Sequence, residues 1–243
     1  MPGRKSKKRP SSDAGLLKRL RRHASETLSD VLDIMGLPNQ VLAAAIRPIV
    51  PGTRVVGPAF CVMGRKLEPG QAPLTAQYAV DRALTPGCVV VMATGGHRAS
   101  AIIGGNIAAA YSQRGAVGVV IDGALRDPWE IRHVLPAFAT HVSPRRPGGR
   151  WTVTGFGEPI AMPGQGDDAV IIHPGDLILG DASGVVVIPQ AIAAQVIEAA
   201  DKLVPKEKKA LAAIRRGLDR EQALNSADRY GHIRKLVPPK SGT

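Results

Sequence analysis

Between Cys88 and Asp127 the chain alternates unbroken apolar runs with small or polar joints. Cys88-Val89-Val90-Val91-Met92 is apolar at every position, the pattern of a strand buried on both faces. It ends in Ala93-Thr94-Gly95-Gly96. An alanine-rich helix is predicted over residues 107–114, closed by Gly115 at the position that favours a left-handed residue. Val117-Gly118-Val119-Val120-Ile121 is a second buried strand. Strand, helix and strand make a βαβ unit, whose crossover is right-handed. Ligands in such sheets sit beyond the carboxyl ends of the strands. Those ends are Thr94-Gly95-Gly96 and Asp122-Gly123-Ala124-Leu125-Arg126-Asp127.

The flanking patterns are shorter. Ser25-Glu26-Thr27-Leu28-Ser29-Asp30-Val31-Leu32-Asp33 predicts a helix with a polar start. Pro48, Pro51, Gly52, Gly57 and Pro58 punctuate two extended pieces, 54–56 and 59–63. A helix over 74–84 stops before Pro86-Gly87. Beyond His133 the chain is irregular and rich in Pro and Gly through 143–149. Short strands return at 151–154 and 169–172, and Pro174-Gly175-Asp176 is a turn. Strands at 177–179 and 185–188 flank Gly180-Asp181-Ala182-Ser183-Gly184, a hairpin signal. Residues 191–225 predict one or two helices, broken at Pro205. No internal repeat occurs.

Composition sharpens the fold class. With 243 residues there is enough chain for one large domain or two small ones. Hydrophobic residues make up 44% but aromatics only 3%, so the core is built from Ala, Val, Ile and Leu. That suits an α/β fold of parallel strands under small-residue helices, and it argues against a nucleic-acid binder that stacks bases on aromatic rings. The net charge of +12 is uneven. Residues 1–22 hold nine Lys/Arg against one acid, Asp13, and the remainder holds 23 basic against 19 acidic residues. The excess therefore sits mainly at the N-terminus, where residues 1–12 read as a solvated basic tail preceding one domain over 13–243. A weak, salt-sensitive contact with nucleic acid or another polyanion is the alternative use of that tail. Cys61 and Cys88 lie in apolar stretches as small buried hydrophobes of a reducing compartment. With no apolar run near the about 20 residues of a membrane span, and no secretory signal pattern, a cytoplasmic protein is expected.

Two places could carry chemistry. Gly104-Gly105-Asn106-Ile107 opens the alanine-rich helix, whose first amides lack internal partners and could hold a carboxylate or phosphate. The same glycines could simply let the helix pack tightly on the sheet. Arg126-Asp127 would ordinarily be a surface pair of little worth. Just past a buried strand, however, it faces the ligand crevice. Arginine offers a fork for a carboxylate, and aspartate a hard oxygen for Mg²⁺ or Mn²⁺. His97, His133, His141 and His173 lack metal-ligand spacing and read as loop or surface residues. Asp181 shapes its hairpin, Asp167-Asp168 is a solvated pair, and Gly95-Gly96 could line the pocket. No Walker loop, GxGxxG, GxSxG or HExxH motif occurs.

Taken together, these segments resemble the RraA-like family, which includes 4-hydroxy-4-methyl-2-oxoglutarate aldolases and the regulator of ribonuclease activity A. The resemblance is carried by Gly104-Gly105-Asn106-Ile107, Arg114-Gly115 and the run from Gly118 to Arg126-Asp127. Thr27-Leu28-Ser29-Asp30, Pro136-Ala137-Phe138 with Ser143-Pro144, and the segments Pro174-Gly175-Asp176 and Gly184-Val185-Val186-Val187-Ile188-Pro189 support it. It implies a single β/β/α domain with a parallel-strand layer, assembled as homotrimers or hexamers. It further implies a lyase that uses Mg²⁺ or Mn²⁺ to cleave a small 2-oxo acid to pyruvate or to decarboxylate oxaloacetate, through a pyruvate enolate. By that resemblance Asp127 holds the metal and Arg126 binds substrate carboxylate and oxo oxygens. Residues 104–107, chiefly the amides of Gly104 and Ile107, hold the pyruvate-like carboxylate, with Gly105 and Asn106 beside them. Glu207 approaches the metal's water shell from a neighbouring subunit. Where the family's aldolases usually carry an acid, this chain has Gly105. Loss of that carboxylate should weaken metal binding or water activation. Two other functions fit the same resemblance: a non-enzymatic regulator of the ribonuclease-inhibitor type, and a metal-dependent dehydratase acting on a related oxo acid.

Overall fold

A computed structural model describes residues 12–68, 70, 71, 77–166 and 168–236. Residues 1–11 and Asp167 lie outside these, and with them most of the basic tail and one member of the Asp167-Asp168 pair. The elements begin with α1 (Ser12–Leu20), α2 (Ser25–Met35), β1 (Arg47–Pro48), β2 (Val55–Lys66), α3 (Gln77–Ala83), β3 (Val89–Ala93), β4 (Ala101–Ile103) and α4 (Gly105–Gln113). Then come β5 (Gly118–Ile121), β6 (Ala124–Leu125), α5 (Pro128–Ile131), β7 (Ala137–Ala139), β8 (His141–Val142), β9 (Trp151–Phe156), β10 (Ile160–Pro163) and β11 (Ala169–Ile172). The chain continues through β12 (Leu177–Asp181), β13 (Gly184–Ile188), α6 (Ala193–Arg215) and α7 (Arg220–Ala227).

The predicted βαβ unit sits at the centre of the main sheet, ordered β1-β7-β5-β3-β2-β12-β13, with β9 also on β2. β2, β3, β5 and β7 run parallel. Alternate residues of β3 serve two cores, which explains its unbroken apolar sequence. Val90 and Met92 pack with Tyr111, Ala108 and Ile121 under α4. Val89 and Val91 pack with Phe138, Met162 and Ile172 under the β10–β11 ribbon. A third core joins the β12–β13 hairpin to α1, α2 and α6 through Leu179, Val186, Leu28, Val196 and Leu203. The result is the expected α/β architecture with its parallel-strand layer.

Two predicted interruptions are not seen. Residues 55–56 and 59–63 belong to one twelve-residue strand, β2, despite Gly57-Pro58. Proline lacks an amide donor, but the β12 pairing ends at Pro58 opposite Leu177, and the next amide, Ala59, donates to the Asp176 carbonyl at 2.7 Å. Nor does Pro205 break α6. The missing helical bond there is tolerated because Val196, Ile197, Ala200 and Leu203 before it and Ala210 after it are all buried.

One layer was not visible in the sequence. After β3, β5 and β7 the chain forms the short strands β4, β6 and β8, which make their own parallel sheet. The register Ile103↔Leu125 brings the residues after β4 and after β6 side by side.

Candidate active site

That register builds the site. The Arg126 amide donates to the Ile103 carbonyl at 2.9 Å, so Gly104 and the Arg126-Asp127 pair become neighbours across the second sheet. The ligand end is therefore reached beyond β4 and β6. Thr94-Gly95-Gly96 serves another purpose: the Thr94 amide donates to Asp122 Oδ1 at 2.6 Å, and both glycines have positive φ, 70° and 73°. This turn wraps Asp122, whose carboxyl burial pushes up in pKa while hydrogen bonds from Thr94 and Gly96 pull it down.

Asp127 stands at the N-cap of α5 in left-handed backbone, φ 57° and ψ 46°. Aspartate is one of the few side-chain-bearing residues that visit this region, and Pro128 at the first helical position fixes the turn after it. The conformation aims the carboxylate at the start of α4. Asp127 Oδ2 accepts from the Gly105 amide at 3.1 Å and lies 3.2 Å from Arg126 Nε. No chain donor reaches Oδ1 among the described residues. The two side chains remain 37% and 36% exposed, so both can meet a ligand from solvent.

Gly104 is required by this approach. A Cβ there would lie 2.7 Å from Arg126 Nε and 2.8 Å from Asp127 Oδ2, inside contact distance. The glycines thus admit the charged pair to the helix end as well as allowing packing. Of the first α4 amides, Gly105's is taken by Asp127, which removes it from the anion-binding set expected of residues 104–107. The amides of Asn106 and Ile107 have no chain acceptor among the described residues and stay open at the positive end of the helix.

Glu207 does not join Arg126 and Asp127 within one chain. It lies on α6, where its carboxylate accepts from Arg229 Nη2 at 2.7 Å in a groove lined also by Thr27, Val204 and Leu224. Among the described residues no three His, Cys, Asp or Glu side chains converge as a metal cage. A closed zinc-type site is thus not formed. One free carboxylate oxygen beside open solvent does suit Mg²⁺ or Mn²⁺, which keep several waters and take one or two carboxylates.

His97 lies in a loop, as expected, but is buried there and bonded to Ser100 Oγ at 2.7 Å, and burial lowers its pKa. His133 and His173 are exposed, His141 half-buried. Asp181 does bind its own turn, through the Ser183 amide, and it also accepts from the amide and hydroxyl of Ser25 at 2.8 and 2.7 Å. It thereby supplies an acceptor to the first turn of α2. One acid near the site escaped the sequence, Glu130. Its spacing of three residues from Asp127, in a helix opened by Pro128, is the signal that places both on one side of a turn.

The RraA-like family model, described as aldolase/RraA, matches residues 25–187 of this chain, a span that contains every segment of the site but Glu207. The chain belongs to the RraA-like family. A protein of Halalkalibacterium halodurans provisionally named 4-hydroxy-4-methyl-2-oxoglutarate aldolase is 34% identical over 178 residues, 72% of this chain and 77% of that protein. Among solved structures, an uncharacterized protein from Pseudomonas syringae superposes with a TM-score of 0.73 at 29% identity, covering 86% of this chain and 96% of that one. Streptomyces coelicolor RraAS2, described as an unusual member of the RNase ES inhibitor RraA family, gives 0.72 at 25% identity, covering 85% and 100%. RraA-like relatives thus share the α/β fold and parallel sheet described above. Among the described residues, no helix is long and apolar enough to cross a membrane.

Proposed function

We propose that this RraA-like chain is a divalent-metal-dependent lyase that cleaves or decarboxylates a small 2-oxo acid through a pyruvate enolate. The observation that carries the proposal is the convergence of Arg126, Asp127 and the open amides of α4 around one exposed carboxylate oxygen. Asp127 would hold Mg²⁺ or Mn²⁺, which supplies a positive centre to polarise the 2-oxo carbonyl. The Asn106 and Ile107 amides would bind the adjacent carboxylate at the helix N-terminus. Arg126 has its Nε on Asp127, leaving the outer guanidinium nitrogens to face substrate. In aldol cleavage the distal hydroxyl loses its proton to a base, and the carbon–carbon bond breaks to leave a carbonyl product. The electron pair of that bond becomes the enolate, which is then protonated to pyruvate. Arg126 faces the oxygen on which negative charge grows, where electrostatic stabilisation lowers the barrier most. Oxaloacetate would lose CO₂ through the same enolate.

The test is pyruvate release from 4-hydroxy-4-methyl-2-oxoglutarate, oxaloacetate and related 2-oxo acids, with Mg²⁺ or Mn²⁺ and again with chelator. Metal-dependent release is expected, and its absence across the panel would overturn the proposal. The likeness to RraAS2 favours one alternative, a binding regulator, which would give that negative result while binding a ribonuclease partner. Assembly forms part of the same proposal. Glu207 can serve a metal site only if another copy supplies it, so the active species is a homotrimer or hexamer. A fully active monomer in light scattering would remove Glu207 from the site.

A further inference from the structure

Lys66, Arg145 and Arg150 gather around a pocket of about 410 Å³ where the end of β2 pairs with the start of β9. Among the described residues no acid lines it. Buried His97 lines it as well and is neutral at neutral pH, because burial, and then the Lys66 charge, lower its pKa. The fold does not need these cations. Arg145 and Arg150 serve it through their main chain, their carbonyls accepting from the Ala101 and Leu67 amides at 2.8 Å each. Of the side chains, Arg150 Nη1 donates only to the nearby Gly148 carbonyl at 3.1 Å, and Lys66 Nζ lies 3.9 Å from the exposed Glu68. The Arg145 guanidinium has no partner among the described residues. Three like charges around one cavity repel, and little in the chain offsets that cost. The amides of Gly148 and Gly149, which also line the pocket, have no chain acceptor among the described residues. Successive open amides in a turn form an anion-binding concavity.

We propose that this pocket binds a compact small-molecule polyanion of the diphosphate or tricarboxylate class, its charge matched to Lys66, Arg145 and Arg150. The volume falls in the range of small-molecule sites, about 300–1,000 Å³. Each arginine offers a fork for a carboxylate or phosphate, and the lysine a point charge. Apart from His97 no ring lines the pocket, so there is no platform on which the bases of a nucleic acid could stack. The site is separate from the Arg126-Asp127 pair. Ala99 and Arg145 border the start of β4, whereas Gly104 follows its end, about 10 Å further along a three-residue strand. The proposal therefore goes beyond the lyase reading and does not rest on it.

The experiment is calorimetric titration of the full chain with pyrophosphate and with propane-1,2,3-tricarboxylate, without divalent cations, which both probes would chelate. Saturable binding of at least one probe is expected, weakening as salt is raised; which probe binds tells phosphate from carboxylate chemistry. Arg145→Ala and Arg150→Ala should each weaken it by about 10- to 100-fold, the effect of losing hydrogen bonds to a charged group. Their melting temperatures should stay within about 2 °C of wild type, because the main-chain contacts remain. Arg145→Lys, which keeps the charge and loses the fork, should fall between. Anion binding should survive Arg126→Ala. No saturable binding of either probe at millimolar concentration would overturn the proposal. So would binding that is lost in Arg126→Ala and kept in Arg145→Ala and Arg150→Ala, which would put the anion at the start of α4. An RNA oligonucleotide that binds more tightly than either probe, and weakens in the same two variants, would overturn the small-molecule class.

Discussion

Replacing Asp127 by asparagine and by alanine separates what this residue does for a metal from what it does for the fold. Asparagine keeps the size, keeps an Oδ1 acceptor for the Gly105 amide and tolerates left-handed backbone. What it loses structurally is the charge in two contacts. The exposed pair with Arg126 is worth about 0–1 kcal/mol. In a domain of this size 1 kcal/mol moves the melting temperature by roughly 2–4 °C, which bounds the expected fall. Alanine costs more. It strips the Gly105 amide of its acceptor, about 0.5–1.5 kcal/mol, and places a residue without a local hydrogen bond in left-handed backbone, about 1–2 kcal/mol. Together these amount to about 1.5–3.5 kcal/mol and roughly 3–14 °C. Both variants lose the carboxylate proposed as the direct ligand. Mn²⁺ binding and metal-dependent pyruvate release should therefore fall by more than the about 100-fold that loss of an indirect contact can cost. Calorimetric titration, pyruvate assay and thermal melts on the three proteins complete the test. Asp127→Asn with wild-type Mn²⁺ affinity would refute the metal assignment, and equal melting temperatures for the two variants would refute the structural one.

Other outcomes follow from the same geometry. Arg126→Lys keeps the charge and loses the fork, so KM should rise and kcat fall together, with a loss in rate on the order of 10²–10³; a rise in KM alone would confine Arg126 to binding. Burial pushes the Cys61 thiol up to about 12 and raises that of Cys88, so both stay protonated and shielded across the neutral range. Neither should react with a disulfide reagent at about pH 8 until the protein is unfolded, and prompt labelling of native protein would contradict their burial. Removing residues 1–11, which precede α1, should leave metal-dependent turnover within about twofold; a larger loss would tie the basic segment to the site or the assembly.

The parts of the fold legible in the sequence were those whose pattern is local. β3, α4 and β5 could be read directly because each is a continuous run with a clear stop. The second sheet could not: β6 and β8 have two residues each and β4 three, too short for any periodicity, and their pairing is set by the strands they follow. Pro205 and Gly57-Pro58 misled for the opposite reason, since long-range burial on both sides outweighed a local breaker. His97 likewise owes its burial to Ser100 and the turn around Asp122, contacts that no spacing rule encodes. The Arg126-Asp127 pair was legible because of its place after a buried strand. Glu130 was hidden because its place against the start of α4 depends on the missing side chain of Gly105.

The arrangement around α5 also has an optical consequence. The chain has two tryptophans, and they stand in contrasting environments. Trp151 is 6% exposed and donates its indole N–H to the Thr94 carbonyl at 3.0 Å, whereas Trp129 is 73% exposed and immediately precedes Glu130. Trp129 carries the red-shifted, quencher-accessible part of the intrinsic emission, and Trp151 the blue-shifted, protected part. Trp129 is thus a built-in chromophore two residues from Asp127, so a ligand bound at the end of α5 that carries Asp127 would be followed as a fluorescence change without a label. Trp151, fixed in the core against β2, provides the internal reference within the same spectrum.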